Sequence, residues 1–154
     1  MMPRIVRGAL IQATLCEPST SPVDKIQKAM LDKHVDMIAR AADQGAQVVC
    51  LQELFNGPYF CAEQEAKWYD MTESIPGGPT TKLMQQLALK HEIVLVVPLY
   101  EEDLPGVYYN SAAVIDADGS YLGKFRKMHI PHCAPGFWEN RSKNSQIPSV
   151  LELL

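Results

Sequence analysis

The stretch AQVVCLQE, residues 46–53, decides how this chain folds. It is a short apolar run with β-branched residues, typical of a fully buried strand, and it ends at a charged residue, Glu53. A second strand-like run occupies residues 5–13. Between the two, apolar residues recur at helical spacing over residues 24–44, and Gly45 supplies a stop. A strand, a helix and a strand with short links form a βαβ unit, so we predict that the two strands are parallel.

The remainder of the chain continues the α/β pattern. A second helix is predicted from Pro79, which suits a first helical turn, and a buried strand follows over residues 93–100. Pro98 predicts an interruption of ladder pairing near the end of that strand. Residues 108–125 predict a β-hairpin, with Gly119 at its turn. The last residues, 140–154, keep none of this periodicity, so they are either a frayed tail or short helix, or mark a chain that stops partway through a fold.

Composition narrows the class of protein. With 154 residues, 47% hydrophobic and 21% charged, the chain can bury the core of one globular domain, and this composition argues against disorder of the whole chain. The net charge of −4 gives no footprint for nucleic acid. No apolar run approaches the roughly 18 residues of a membrane span, and no signal peptide is evident. We therefore expect a cytoplasmic protein, with no nucleic-acid or membrane partner and with reduced cysteines.

Two residues are the first candidates for chemistry. Glu53 follows a buried parallel strand, and open α/β sheets place their sites at the carboxyl ends of such strands. We expect it to be buried, where it could act as a general base; the alternative is that it caps the following loop or forms a structural ion pair with a lysine. Lys127 lies just past the predicted hairpin, where it could pair with Glu53 and stabilise an oxyanion; the alternative is a solvated basic turn.

The segment HIPHC, residues 129–133, offers further ligands and a thiol. The spacing of His129, His132 and Cys133 matches no common zinc pattern, and no fourth ligand is evident, so we predict no metal. A Cys133–His nucleophilic pair would need a base within hydrogen-bond reach, which neighbours on a proline-stiffened loop rarely achieve. A phosphate cradle would need a glycine-rich turn before a helix, which the segment lacks.

Four motifs, in this order and spacing, give the chain a family resemblance: VVCLQELF around Glu53, GGPTTKLMQQLA, YYNSAAVIDADG, and GKFRKMHIP around Lys127. Together they resemble the nitrilase (carbon–nitrogen hydrolase) superfamily over about residues 4–139. Within it, the chain is most similar to the branch of β-ureidopropionase and N-carbamoylputrescine amidase. The resemblance implies the N-terminal part of an αββα sandwich, a substrate that is a small amide or N-carbamoyl compound, and a homo-oligomer for the full-length family.

The resemblance also implies a Glu–Lys–Cys mechanism without a cofactor. Glu53 would be the general base, Lys127 would stabilise the tetrahedral intermediate, and Glu139 would support the site and orient the lysine. The nucleophilic cysteine of the family follows a later strand in a motif that this chain does not contain. None of the four cysteines matches that motif, so the role is carried to none of them.

Two hypotheses follow for the function. In the first, residues 4–139 are a partial carbon–nitrogen hydrolase domain and residues 140–154 a tail outside the family, so the chain is truncated and inactive alone. In the second, the chain is a non-catalytic α/β module that uses the hydrolase scaffold for binding or for subunit association. A sandwich that lacks its second half would expose an apolar face, which predicts aggregation or obligate association.

Overall fold

The structure, a computed structural model, describes residues 5–59 and 65–130 and the backbone of residues 150–152. Its strands and longer helices follow one another along the chain as β1 (Gly8–Ile11), α1 (Val23–Asp43), β2 (Val48–Leu51), α2 (Pro79–His91), β3 (Val94–Leu104), β4 (Val107–Ile115), β5 (Tyr121–Arg126) and β6 (Val150–Glu152). A short 3-10 helix, Ala66–Met71, lies between β2 and α2.

The strands form one mixed sheet in the order β5-β4-β3-β2-β1-β6. The pairs β1–β2 and β2–β3 are parallel, which confirms the predicted βαβ unit. The pairs β3–β4, β4–β5 and β1–β6 are antiparallel. Both parallel crossovers step in the same direction along the sheet, and such crossovers are right-handed, so α1 and α2 lie on the same face. The predicted α/β class is confirmed.

One core lies between the sheet and its two helices. Leu95, Val97 and Leu99 of β3 point into it and are buried, where they meet Ile38 of α1 and Met84 of α2. The alternate residues of β3 point to the opposite face and are only half-buried. That face is apolar too, with Val96, Val114 and Leu10 in register across neighbouring strands, and neither helix covers it. A sheet with helices on one side and an apolar second face matches one half of an αββα sandwich.

Three predictions about local structure were wrong or incomplete. The β3–β4 ladder runs continuously through Pro98, which pairs with Ala112. On the other side of β3, pairing with β2 ends at Val96. Because Pro98 lies beyond that point, its missing N–H removes no hydrogen bond to β2. The strand continues to Leu104 and turns at Gly106, whose φ of +82° suits glycine. Residues 150–152, predicted as tail or helix, form a strand beside β1.

A buried carboxylate joins β3, β4 and β5 on the helix side of the sheet. Glu101 of β3 is fully buried and accepts hydrogen bonds from Ser111 of β4 and from Lys124 and Arg126 of β5. Arg126 binds it with two nitrogens, Nη2 to Oε1 at 2.7 Å and Nε to Oε2 at 3.1 Å. Burial alone would raise the pKa of Glu101, but the hydrogen bonds from Arg126, Lys124 and Ser111 outweigh it and lower the pKa to about 2.

The depressed pKa gives a pH-dependent stability. Folding lowers the pKa of Glu101 from 4.5 to about 2. The contribution of its carboxylate to the free energy of unfolding is therefore complete above pH 4.5 and is lost as the pH falls through about 2. Linkage sets the size of this contribution at about 3 kcal/mol. Glu101→Gln is therefore expected to lower the free energy of unfolding by about that amount at pH 7, measured in urea.

The difference between wild type and variant should shrink between pH 4.5 and pH 2, because the wild-type carboxyl becomes protonated and neutral like the amide. Asp32→Asn is the matched control, since it removes one partner of an exposed ion pair with Lys28. Such pairs contribute about 0–1 kcal/mol. A Glu101→Gln effect that is as small as the control, or that stays constant down to pH 2, would contradict the assignment.

Candidate active site

Glu53 lies two residues beyond the carboxyl end of β2. Its side chain is 39% exposed, so the prediction that it is buried is wrong for this chain. The cause is the turn of the backbone at Leu54, which has a φ of +54°. Leu54 and Phe55 are buried, while the carboxylate of Glu53 stays at the sheet end and contacts polar partners.

Lys127 contacts this carboxylate from β5, a strand that β4 and β3 separate from β2 in the sheet. It follows β5 directly, and its Nζ lies 2.8 Å from Oε1 of Glu53, although the two residues are 74 positions apart in the chain. The Lys127 amide donates to the carbonyl oxygen of Asn110 at 2.8 Å, which extends the β4–β5 ladder to the lysine. The structure therefore brings Glu53 and Lys127 together as a half-buried ion pair, the pairing that the sequence analysis offered for Lys127.

Strand alternation separates the two basic neighbours Arg126 and Lys127. Side chains of successive residues in a strand point to opposite faces of the sheet. Arg126 points to the helix side, where it binds Glu101 and Asp103 and lies over the ring of Tyr109. Lys127 points the other way, to Glu53. Arg126 therefore has a structural role, whereas the ammonium of Lys127 lies at the sheet end beside Glu53.

Asn110 of β4 completes the site, and the sequence analysis missed it. Its Nδ2 donates to Oε1 of Glu53 at 2.7 Å, the same oxygen that Lys127 binds. A signal was present in the sequence, because Asn110 is the polar member of an alternating set whose next members, Ala112 and Val114, are apolar. Polar residues with that periodicity on an apolar face indicate a specific hydrogen-bond partner.

The other predicted site residues fall partly outside the described ranges. Glu139, His132, Cys133 and Cys61 lie outside them. His129 is described and exposed. Over residues 5–59 and 65–130, no three His, Cys, Asp or Glu side chains are grouped so that they could hold a metal ion.

Two cysteines can be placed. Cys16 is exposed, and Cys50 of β2 is half-buried. Burial raises the pKa of the Cys50 thiol, whose Sγ lies 3.5 Å from the carbonyl oxygen of Leu51. A raised thiol pKa makes the reactive thiolate scarcer, the opposite of what a nucleophile needs. Within the described ranges, no helix has both the length and the apolar character needed to cross a bilayer.

Comparison with known proteins gives this geometry a context. A family model described as carbon-nitrogen hydrolase matches residues 9–147. That range ends inside the segment 140–154, so a domain boundary at residue 139 stays a prediction. The chain is 36% identical over 131 residues to a beta-ureidopropionase from Arabidopsis thaliana, covering 84% of this chain and 32% of that protein. It is 44% identical over 105 residues to an N-carbamoylputrescine amidase from Solanum lycopersicum, covering 68% of this chain and 34% of the relative.

Solved structures agree with the sequence comparison. The crystal structure of a carbon-nitrogen hydrolase from Helicobacter pylori G27 superposes with a TM-score of 0.71 at 31% identity. The match covers 88% of this chain and 42% of that structure. The chain thus spans about a third of the length of these two relatives and less than half of the solved structure. The motifs, the sheet and these matches agree, and the chain belongs to the carbon–nitrogen hydrolase family.

Proposed function

We propose that this chain supplies the general base and the cation of a carbon–nitrogen hydrolase that acts on a small amide or N-carbamoyl compound. The observation that carries the proposal is the contact between Lys127 Nζ and Glu53 Oε1 at 2.8 Å, at the end of the sheet where α/β proteins place their sites.

The two side chains have complementary roles in the proposed reaction. Glu53 takes the proton of a cysteine thiol, and the resulting thiolate attacks the carbonyl carbon of the substrate. The negative charge that develops on the carbonyl oxygen is stabilised by the ammonium of Lys127. Protonated Glu53 then gives its proton to the leaving ammonia, and an acyl-enzyme thioester remains.

Water completes the cycle. Glu53 accepts a proton from the water molecule that attacks the thioester carbonyl, and the thiol is restored as the acid is released. For an N-carbamoyl substrate, the acid is a carbamic acid, which decomposes to carbon dioxide and the free amine. Glu139 is proposed to support the site and to orient Lys127, by its place in the family motif.

The substrate class rests on the relatives. Their names refer to a ureido acid and to N-carbamoylputrescine, and both compounds carry a carbonyl carbon bonded to two nitrogens. We propose the same class for this chain, with the assembled enzyme as a cytoplasmic homo-oligomer. The nucleophile is proposed to come from sequence beyond the motifs matched here, because none of the four cysteines lies in the family's nucleophile motif.

A chimera tests the proposed roles. Residues 5–130 of this chain would be joined to the part of the Solanum lycopersicum amidase that follows the position equivalent to residue 130, and ammonia release from N-carbamoylputrescine, N-carbamoyl-β-alanine and simple amides would be measured. We expect turnover in the chimera and none in the chain alone. Glu53→Gln should lower kcat by about 10²–10⁴-fold, the usual contribution of a general base. Lys127→Met should lower kcat by about 10²–10³-fold, as loss of an oxyanion donor does.

The chain offers a matched control for these variants. Glu17 and Lys25 form another Glu–Lys pair, 2.9 Å apart, and their side-chain contacts within the described residues do not include Glu53, Asn110 or Lys127. Glu17→Gln and Lys25→Met should leave kcat within about twofold, as changes to an ion pair that does not contact the site do. An active chimera whose Glu53→Gln variant keeps full turnover would refute the catalytic assignment. A folded chimera that binds substrate without turnover would instead favour the non-catalytic module.

The same assay tests the exclusion of Cys133. Because Cys133 lies outside the nucleophile motif, Cys133→Ala is expected to leave ammonia release unchanged in a chimera that also contains residues 131–139. Labelling of the chimera with iodoacetamide, followed by peptide mass spectrometry, locates the reactive thiol independently. Turnover that disappears in Cys133→Ala, together with labelling at Cys133, would show that the nucleophile lies within this chain.

A further inference from the structure

Asn110 contacts both members of the proposed pair. It lies on β4, half-buried, on the sheet face opposite the helices. Its side-chain Nδ2 donates to Glu53 Oε1 at 2.7 Å, and its backbone carbonyl accepts from the Lys127 amide at 2.8 Å. One residue therefore fixes the side chain of Glu53 and the backbone of Lys127 with respect to each other.

The chemistry of the contact settles the orientation of the Asn110 amide. An ionised carboxylate only accepts hydrogen bonds, so the atom that faces Glu53 must be the NH₂ group. The amide is neutral and holds the carboxylate without adding a second positive charge beside Lys127. A carboxamide thus orients Glu53 and leaves the charge balance of the pair unchanged.

The two oxygens of Glu53 differ in their surroundings. Oε1 accepts from Asn110 Nδ2 at 2.7 Å and from Lys127 Nζ at 2.8 Å. Oε2 has no hydrogen-bond partner among the residues that the structure describes. With both donors on Oε1, Oε2 is the oxygen that the described residues leave unoccupied.

The backbone pairing of β4 with β5 does not explain why residue 110 is an asparagine. Asparagine is depleted in strands, and any residue could supply the backbone carbonyl that Lys127 uses. The neighbours on the same face of β4, Ala112 and Val114, are apolar. Among the described residues, the side-chain hydrogen bond to Glu53 is the contact that an apolar residue could not make here.

We propose that Asn110 is a positioning residue that, together with Lys127, occupies Oε1 of Glu53 and so leaves Oε2 as the atom that accepts the thiol proton. The inference rests on the proposed role of Glu53 as the general base. Loss of the amide would let the carboxylate rotate and share both oxygens with Lys127, so that the accepting oxygen would no longer be held toward the nucleophile. Misplacement of a reacting group by about 1 Å can cost about 10²-fold in rate.

The structural half of the proposal is tested in the chain itself. Selective ¹³C labelling of glutamate carboxyls would resolve the Glu53 signal, identified by its absence in Glu53→Gln. Asn110→Ala and Asn110→Asp are expected to shift this signal and that of Lys127 Nζ, with Asn110→Asp differing most because a second carboxylate competes for the ammonium. Val107→Ala, at the exposed start of the same strand, should shift neither. If both signals stay unmoved in a folded Asn110 variant, the positioning role is overturned.

The catalytic half is tested by turnover in the chimera. Both Asn110 variants are expected to lower kcat by about 10–100-fold and to change KM by less than about threefold, whereas a purely structural role would change stability without this split. Thermal melts identify any variant that fails to fold, and Asn110→Asp keeps the volume of the side chain if Asn110→Ala does not fold. Unchanged kcat in a folded variant overturns the proposal.

The two proposals fail in different ways. If Glu53→Gln keeps full turnover, the proposed function is wrong, and the inference about the accepting oxygen falls with it. If Glu53→Gln abolishes turnover while the Asn110 variants keep kcat, the proposed function stands and the positioning role alone is overturned.

Discussion

The period-2 alternation of β5 is the constraint on which the site depends. Lys124 and Arg126 point to the helix side and bind the fully buried Glu101, which ties β5 to β3 across β4. Because successive side chains in a strand point to opposite faces, Lys127, which follows Arg126, points to the face opposite the helices. Lys127 therefore reaches Glu53 because Arg126 reaches Glu101. A slip of the strand by one residue would turn Lys124 and Arg126 to the opposite face, and Glu101 would lose both partners.

The fold brings distant residues to one place by ordinary topology. Two parallel crossovers put α1 and α2 on one face and align the carboxyl ends of β1 and β2. The antiparallel strands β4 and β5 then return so that Asn110 and Lys127 end beside Glu53. The sheet face that carries this site also carries the apolar residues Leu10, Val96 and Val114, and neither helix covers it. The resemblance of the sequence to the carbon–nitrogen hydrolase family implied a sandwich of two such sheets.

Much of this architecture was predictable from the sequence, and the reasons are local. Helical spacing before Gly45, the apolar run ending at Glu53, and the turn at Gly119 each report a single element, and each was confirmed. The length of β3 was missed because Pro98 suggested an end, whereas the side of the strand to which its nitrogen points is a tertiary property. The exposure of Glu53 was missed because it depends on the backbone turn at Leu54.

The site itself was only half predictable. Glu53 and Lys127 could be identified as candidates for a pair, but their contact depends on the register of the four strands β2, β3, β4 and β5, which no local pattern encodes. Arg126 and Lys127 look alike in sequence, and only the position of Glu101 separates them. Asn110 carried the weakest signal, because a polar residue on an apolar face of a strand also suits a solvated edge. Glu139 stays a prediction from the family motif, since it lies outside the described residues.

A double-mutant cycle in the chimera tests most directly whether Glu53 and Lys127 act as one unit. The measured quantity is kcat/KM for wild type, Glu53→Gln, Lys127→Met and the double variant. Residues that act together show strongly non-additive losses, so the double variant is predicted to be about as impaired as the worse single variant. If the two losses in activation free energy add in full, the side chains act independently, and the account of a joint site would be contradicted.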